Sequence, residues 1–239
     1  RRFLIDSLEA RIESSEFRIL SGRTGTGKTR VLKQLSNPVD LEGLANHRGS
    51  SFGGQVTAQP SQIDFENRLT VAMLKAHHLI GGSVYLEDES RLVGRCALPE
   101  SLRARMAESP LMILEQPLEE RITIIREDYV EGMVADYVNR DGAEAGWLNF
   151  RDYLLSALDR IRKRLGGERH QQLRSLMEQA LAEQQASGRT EAHNAWIQAL
   201  LQDYYDPMYD YQLSRKEGRI LVRGGPETIL DWARAGSVA

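Results

Sequence analysis

A parallel-sheet α/β fold with helices on its flanks is what this sequence predicts, on three observations. Short apolar runs alternate with amphipathic stretches along the chain. A glycine-rich turn joins the first such run to the first amphipathic stretch. Acidic residues stand at the ends of two of the runs, the edge where open α/β sheets gather ligands.

Taken in order, residues 3–14 (FLIDSLEARIES) read as a short charged amphipathic helix, a lead-in spanning residues 1–16. Phe17–Leu20 predicts the first strand, followed by the glycine turn and an amphipathic stretch ending near Leu35. Pro38–Leu41 reads as a second strand. Residues 43–60 are rich in Gly, Ser, Asn and His without periodicity, the pattern of a long loop, and loops of that length are usually functional or disordered. Ser61 to His78 has helical spacing, with Gly81–Gly82 as a stop. Ser83–Leu86 predicts a strand that runs straight into Glu87-Asp88-Glu89. A helix over Pro99–Ala107, a strand over Leu111–Leu114 and a long helix over Glu119–Val138 follow. From Trp147 to about Leu201 everything reads as helix, broken at Gly166–Gly167 and Ser187–Gly188. Arg219–Val222 gives a closing strand and Pro226–Ala235 a helix with proline at its start. The expected organisation is an α/β core over 17–146, a helical insertion over 147–214, and a closing strand and helix over 215–239, with right-handed crossovers throughout.

The 239 residues carry a net charge of −3, which argues against an all-over basic nucleic-acid coat but leaves room for a local basic patch. One cysteine, Cys96, rules out an intrachain disulfide and suits a reducing, cytoplasmic setting. No apolar run is long enough to span a bilayer and no signal-peptide pattern is present, so no membrane partner is expected. The first residue is Arg1 rather than Met, as expected of a fragment that lacks an upstream domain.

Gly22-Arg23-Thr24-Gly25-Thr26-Gly27-Lys28-Thr29 matches G-x-x-x-x-G-K-[ST] at every fixed position, between a predicted strand and a predicted helix. Each residue type has a physical reason. Glycines let backbone N–H groups turn inward around an anion, Lys28 brings a point charge, and the Thr29 hydroxyl suits Mg²⁺. The fold class is therefore P-loop NTPase-like, with a helical insertion before the last strand. A carboxylate should end a neighbouring strand, and Asp88 or Glu87 fits; Thr29 and Asp88 are the expected metal ligands. An acidic strand-end turn is the plainer reading of the same pair. Asp40 and Glu42 reach the same sheet edge, to act on metal or substrate or to cap the next turn. A bound phosphate does not by itself mean ATP hydrolysis.

The string Asp40-Leu41-Glu42-Gly43-Leu44-Ala45-Asn46-His47-Arg48-Gly49-Ser50-Ser51-Phe52-Gly53, with Gln59-Pro60-Ser61-Gln62, Phe65-Glu66-Asn67 and Glu87-Asp88-Glu89-Ser90-Arg91, resembles the tRNA 2-selenouridine synthases. The resemblance is dense over the P-loop half and loose over the helical half. It implies a partner rhodanese domain of the same polypeptide carrying a catalytic cysteine, and tRNA with 2-thiouridine at the wobble position as substrate. It also implies S-geranylation from geranyl diphosphate, then replacement by selenium from selenophosphate, both as co-substrates. Cys96 does not match the catalytic cysteine motif and reads as a small core residue. Lys28 and Mg²⁺ would neutralise a departing diphosphate, and His47 and Arg48 would add donors to phosphate or to the tRNA backbone. A lone His–Arg pair on a loop is otherwise more often structural. Gln59, Gln62 and Asn67 could read a base edge or could cap the helix near Ser61.

From Arg151 to Arg174 the basic residues outnumber the acidic ones, and Arg160, Arg162, Lys163, Arg164 and Arg169 are the expected tRNA-binding residues; a solvated helix face is the plainer alternative. The Tyr204–Tyr211 cluster suits base stacking, a geranyl pocket or simple packing. Two other functions stay open on the sequence alone. One is a P-loop kinase or ATPase of a small molecule, and the other a non-catalytic tRNA-binding module.

Overall fold

The structure, a computed structural model, describes residues 2–79 and 82–235, with the side chains of 77–79 left out. Helix α1 (Arg2–Ser14) leads into strand β1 (Phe17–Gly22), the P-loop and the short helix α2 (Lys28–Leu32). Strand β2 stops after Pro38–Val39, and helix α3 (Leu41–Ala45) begins at once. The sequence expectation of a strand through Leu41 fails here for a local reason. The Asp40 carboxylate accepts the backbone N–H of Gly43 at 2.6 Å, an N-cap that turns the chain into a helix. Helix α4 (Gln62–Leu79) follows the loop; of its expected glycine stop, Gly81 lies outside the described residues and Gly82 has φ +96°. Strand β3 (Val84–Glu87) is succeeded by a hairpin of two-residue strands, β4 (Leu92–Val93) and β5 (Cys96–Ala97), too short to be read from pattern. Helix α5 (Glu100–Glu108) and strand β6 (Leu111–Leu114) complete this half.

The helices then run on: α6 (Leu118–Arg126), a π turn (Glu127–Glu131), α7 (Gly132–Asp141), α8 (Ala143–Arg160), α9 (Arg162–Leu165), α10 (Gly167–Ser187), α11 (His193–Leu200), a second π turn (Leu201–Tyr205) and α12 (Asp206–Ser214). Strand β7 (Ile220–Gly224) and helix α13 (Pro226–Ala235) close the chain.

The sheet is five-stranded and parallel, in the order β2-β3-β1-β6-β7. Its two faces are separated by strand alternation. Ile19, Leu86, Leu111 and Ile113 pack against α1, α4 and α5 on one face. Leu20, Tyr85, Met112 and Leu114 pack with α2 and α13 on the other. Cys96 is buried in the first of these layers. A third core joins Ile122, Ile125, Val130 and Met133 to Phe150, Leu158, Met177, Trp196 and Leu200. The helical unit therefore starts packing at Leu118. The boundary expected between 146 and 147 falls inside α8, because α6 and α7 bury their apolar faces against later helices rather than against the sheet.

Candidate functional site

Gly25 and Gly27 of the P-loop have φ +84° and +77°, left-handed values that a side chain would strain. Around them the loop closes on itself: Thr26 Oγ1 donates to the carbonyl of Arg23 at 2.9 Å, and Lys28 Nζ donates to the carbonyl of Gly22 at 3.0 Å. The loop floors a cleft of about 410 Å³ whose walls include Lys28, Thr29, Asp40, Glu42, His47, Arg48 and Tyr129.

Three carboxylates crowd the Thr29 end of this region. Thr29 Oγ1 donates to Glu87 at 2.6 Å and lies 3.3 Å from Glu42, while Glu42 and Glu89 share a hydrogen bond. Burial first, and mutual repulsion second, push Glu42, Glu87 and Glu89 well above the usual carboxylate range; Lys28 pulls the other way on all three. The expected metal pair Thr29 and Asp88 is not brought together. Glu87 shares its strand face with Tyr85, the face that α2 covers, so its carboxylate meets Thr29. Asp88 turns to the opposite face, where Ser21 Oγ donates to it at 2.7 Å and Lys216 pairs with it at 2.8 Å. Tyr209 Oη stands 3.4 Å from the same Ser21 hydroxyl.

Hard oxygen donors of this kind suit Mg²⁺. Among the described residues no group of three or more His, Cys, Asp or Glu is arranged to hold a metal unaided. The donor set of Thr29, Glu87 and Glu42 thus fits an ion that keeps waters and takes its remaining ligands from substrate phosphate, the usual habit of Mg²⁺. Asp40, besides capping α3, pairs with Lys33 at 3.3 Å.

The loop after α3 is folded rather than loose. Arg48 Nη1 donates to the carbonyl of Asp128 at 2.6 Å and its guanidinium lies 5.1 Å from the Tyr129 ring centre. The His47 backbone bridges to Gly54, its Nδ1 is buried without a hydrogen-bond partner among the described residues, and burial, then the charge of Arg160, hold its pKa below the ordinary value. Gln59 and Gln62 are spent on backbone. Gln59 Nε2 donates to Ala45 and Val93, and Gln62 brackets Ala97 with both amide atoms at 2.8 Å.

Two arginines tie the P-loop to the helical unit. Arg23 pairs with Asp210 at 2.7 Å. Arg121, 2% exposed, donates through Nε to the carbonyl of Thr24 at 2.9 Å and makes a two-pronged pair with Asp206. Beside them Phe52, Ile125, Trp196, Ile197, Leu200 and Tyr205 enclose a narrow apolar pocket that Thr24 and Ser50 border. Of the expected RNA-binding residues, Arg160 and Arg164 line one cleft and Arg169 lines another. Arg160 donates to the Ser51 carbonyl at 2.6 Å, Arg164 lies 3.5 Å from the Tyr204 hydroxyl, and Arg169 donates to the Asp203 carbonyl at 3.1 Å. Arg162 and Lys163 are exposed.

The family model described as "tRNA 2-selenouridine synthase AAA domain" matches residues 15–238. The chain belongs to this family. Relatives named tRNA 2-selenouridine synthase include those of Marinobacter nauticus, 78% identical over 98% of this chain, Alcanivorax borkumensis, 52% over 94%, and Pseudomonas fluorescens, 51% over 98%. The chain spans 64%, 62% and 64% of their respective lengths. No solved structure matches. Among the described residues, no helix is long and apolar enough to cross a membrane.

Within this AAA domain of the tRNA 2-selenouridine synthase family, Glu42 was a candidate from its place at the sheet edge, and two site residues escaped the sequence reading. Glu89 was visible only as part of an acidic run. Lys216 lies far along the chain from Asp88, and no sequence spacing links them. Strand parity was the available signal for choosing between Glu87 and Asp88.

Proposed function

We propose that the chain forms the part of a tRNA-modifying enzyme that uses a prenyl diphosphate, acting on 2-thiouridine at the wobble position. Geranyl diphosphate S-geranylates the base, and selenium from selenophosphate then replaces the thioether to give 2-selenouridine, with a rhodanese domain of the same polypeptide required for the second step. The supporting observation is adjacency. Thr24 and Ser50 border both the P-loop cleft and the apolar pocket of Phe52, Trp196 and Leu200. The pocket's free volume is about 20 Å³ as it stands, so its apolar walls would have to part for a prenyl chain, which would then lie beside a diphosphate on the loop.

In this reading the base sulfur forms a bond to C1 of the prenyl group as the C1–O bond breaks. Negative charge collects on the departing diphosphate, where loop N–H groups and Lys28 receive it. The N3 proton of the base is released, and His47, on the cleft wall with its pKa held below the ordinary value, is a candidate acceptor. Thr29, Glu87 and Glu42 would hold Mg²⁺, which when bound would supply further neutralisation of the leaving group.

The test is incubation with 2-thiouridine tRNA and geranyl diphosphate, followed by nucleoside mass spectrometry. Geranylated nucleoside is expected, and no 2-selenouridine, since Cys96 is buried. Lys28→Ala is expected to weaken diphosphate binding by roughly 100-fold, as removal of one partner of a charged pair does, with the chain still folded. Undiminished product from Lys28→Ala would overturn the assignment. Tighter binding of ATP than of geranyl diphosphate would favour a small-molecule kinase instead.

A further inference from the structure

Beside the P-loop cleft lies a second one, of about 640 Å³, which shares His47, Ser50 and Gln55 with it. Among the described residues three guanidinium groups reach its lining, Arg95 from the turn of the β4–β5 hairpin, Arg160 from the end of α8 and Arg164 from α9, and no carboxylate does. Each is held by a neutral acceptor. Arg95 donates to the Gln59 carbonyl at 2.7 Å, Arg160 to the Ser51 carbonyl, and Arg164 sits against the Tyr204 hydroxyl. None of the three has an ion-pair partner among the described residues, whereas Arg23, Arg30, Arg121, Arg126 and Arg174 all do. A carbonyl orients a guanidinium without cancelling its charge, so this cleft keeps a positive field in a chain that is acidic overall.

The wall between the two clefts is polar. Gln55 lines both of them, and its side-chain amide has no hydrogen-bond partner among the described residues. Gln59 and Gln62, by contrast, are consumed in pinning the hairpin that carries Arg95. Scaffold amides and an unused amide are thus segregated.

We infer that this second cleft holds a single-stranded RNA nucleotide, with its phosphates on Arg95, Arg160 and Arg164 and its base turned across the His47–Gln55 wall toward the P-loop. This rests on the reading of RNA as the substrate. The volume lies within the roughly 300–1,000 Å³ of a site for one ligand-sized group, so a duplex does not enter. An unstacked nucleotide does, and its base edge is then open to an amide such as Gln55. Arg162 and Lys163, on the same segment but outside the lining, take no part in holding it.

The experiment titrates the 239-residue chain with a short fluorescent single-stranded RNA at several salt concentrations, and separately with inorganic diphosphate and inorganic phosphate. Arg95→Gln/Arg164→Gln is expected to weaken RNA binding roughly tenfold and to flatten the log–log salt slope by about 0.7 for each phosphate left without its arginine. Arg95→Lys/Arg164→Lys should restore most of the affinity, and diphosphate binding should stay within about twofold of wild type, since the phosphate electrostatics of the RNA are what the substitution removes. Arg162→Gln/Lys163→Gln should leave RNA binding nearly unchanged. Equal losses in the two glutamine pairs, or no loss in the first, would overturn the inference. So would millimolar phosphate displacing the RNA completely, which would mark a free-anion site. A wild-type chain that binds RNA but no diphosphate would instead remove the P-loop reading and leave this cleft standing.

Discussion

The sheet end around Thr29 and the helical unit around His193 both bury ionisable groups, and they do so in opposite ways. At the sheet end, Glu42, Glu87 and Glu89 crowd one another with a hydroxyl and Lys28 as their main relief. In the helical unit, His193 is fully matched: Trp196 Nε1 donates to its Nδ1 and its Nε2 meets Gln184 Oε1, both at 2.9 Å. Arg121 is matched as well, by Asp206 and the Thr24 carbonyl. Burying charge without a partner costs several kcal/mol, so a fold keeps such a cluster where an oppositely charged ligand comes to meet it. Matched burial marks architecture and unmatched burial marks a site.

The largest effect expected on this contrast is at Arg121. Arg121→Ala strands Asp206 and removes the donor to Thr24, and is expected to destabilise the chain by roughly 3–5 kcal/mol in urea unfolding. A cost below about 1 kcal/mol would remove Arg121 from the matched class.

Acid should expose the matched histidine next. Burial, then the charge of Arg126, lower the His193 pKa from 6.5 to about 4. Its stabilisation is complete above pH 6.5, where both states are neutral, and is lost as pH falls toward about 4 because the unfolded chain then binds the extra proton. Roughly 2–3 kcal/mol should disappear across that window, and His193→Gln should flatten the slope. Equal slopes in both proteins would mean that His193 is not the group responsible.

The carboxylate cluster has the opposite sign. The pKa of Glu87 is raised from 4.5 to about 8, so folding is least penalised below 4.5 and stability is lost as pH rises through 8. In metal-free buffer Glu87→Gln is expected to stabilise the chain by about 1 kcal/mol at about pH 8 and by nothing at about pH 4.5, while slowing turnover. Destabilisation at the alkaline end would place Glu87 among the structural pairs.

Much of this was legible in the sequence, and the limits are physical. The P-loop was readable because its glycines, lysine and threonine are local requirements of one backbone shape. The three central strands were readable as short apolar runs. Asp40 was misread within a strand because a cap depends on one carboxylate finding the Gly43 N–H, which no periodicity reveals. Glu87 and Asp88 are chemically alike, and only the register of β3 against β1 assigns them to opposite faces. The pairing of Asp88 with Lys216, and the gathering of Arg95 with Arg160 and Arg164, join segments far apart in the chain and belong to tertiary structure alone.

The two π turns have a consequence of a different kind. Tyr129 sits on the first, and Leu201 and Tyr205 on the second, and all three border the apolar pocket beside the P-loop. A π turn accommodates one residue more than regular helical pitch requires. Deleting a single residue from either turn would restore the regular pitch and draw the bulged backbone back into line, with the residues beyond it kept close to their present phase. That change would withdraw a wall of the pocket, while Asp206 and Asp210, just past the second turn, keep their pairs with Arg121 and Arg23. The bore of this pocket is therefore set by counting residues as much as by choosing them, and a chain could widen or close it through insertion or loss at two positions.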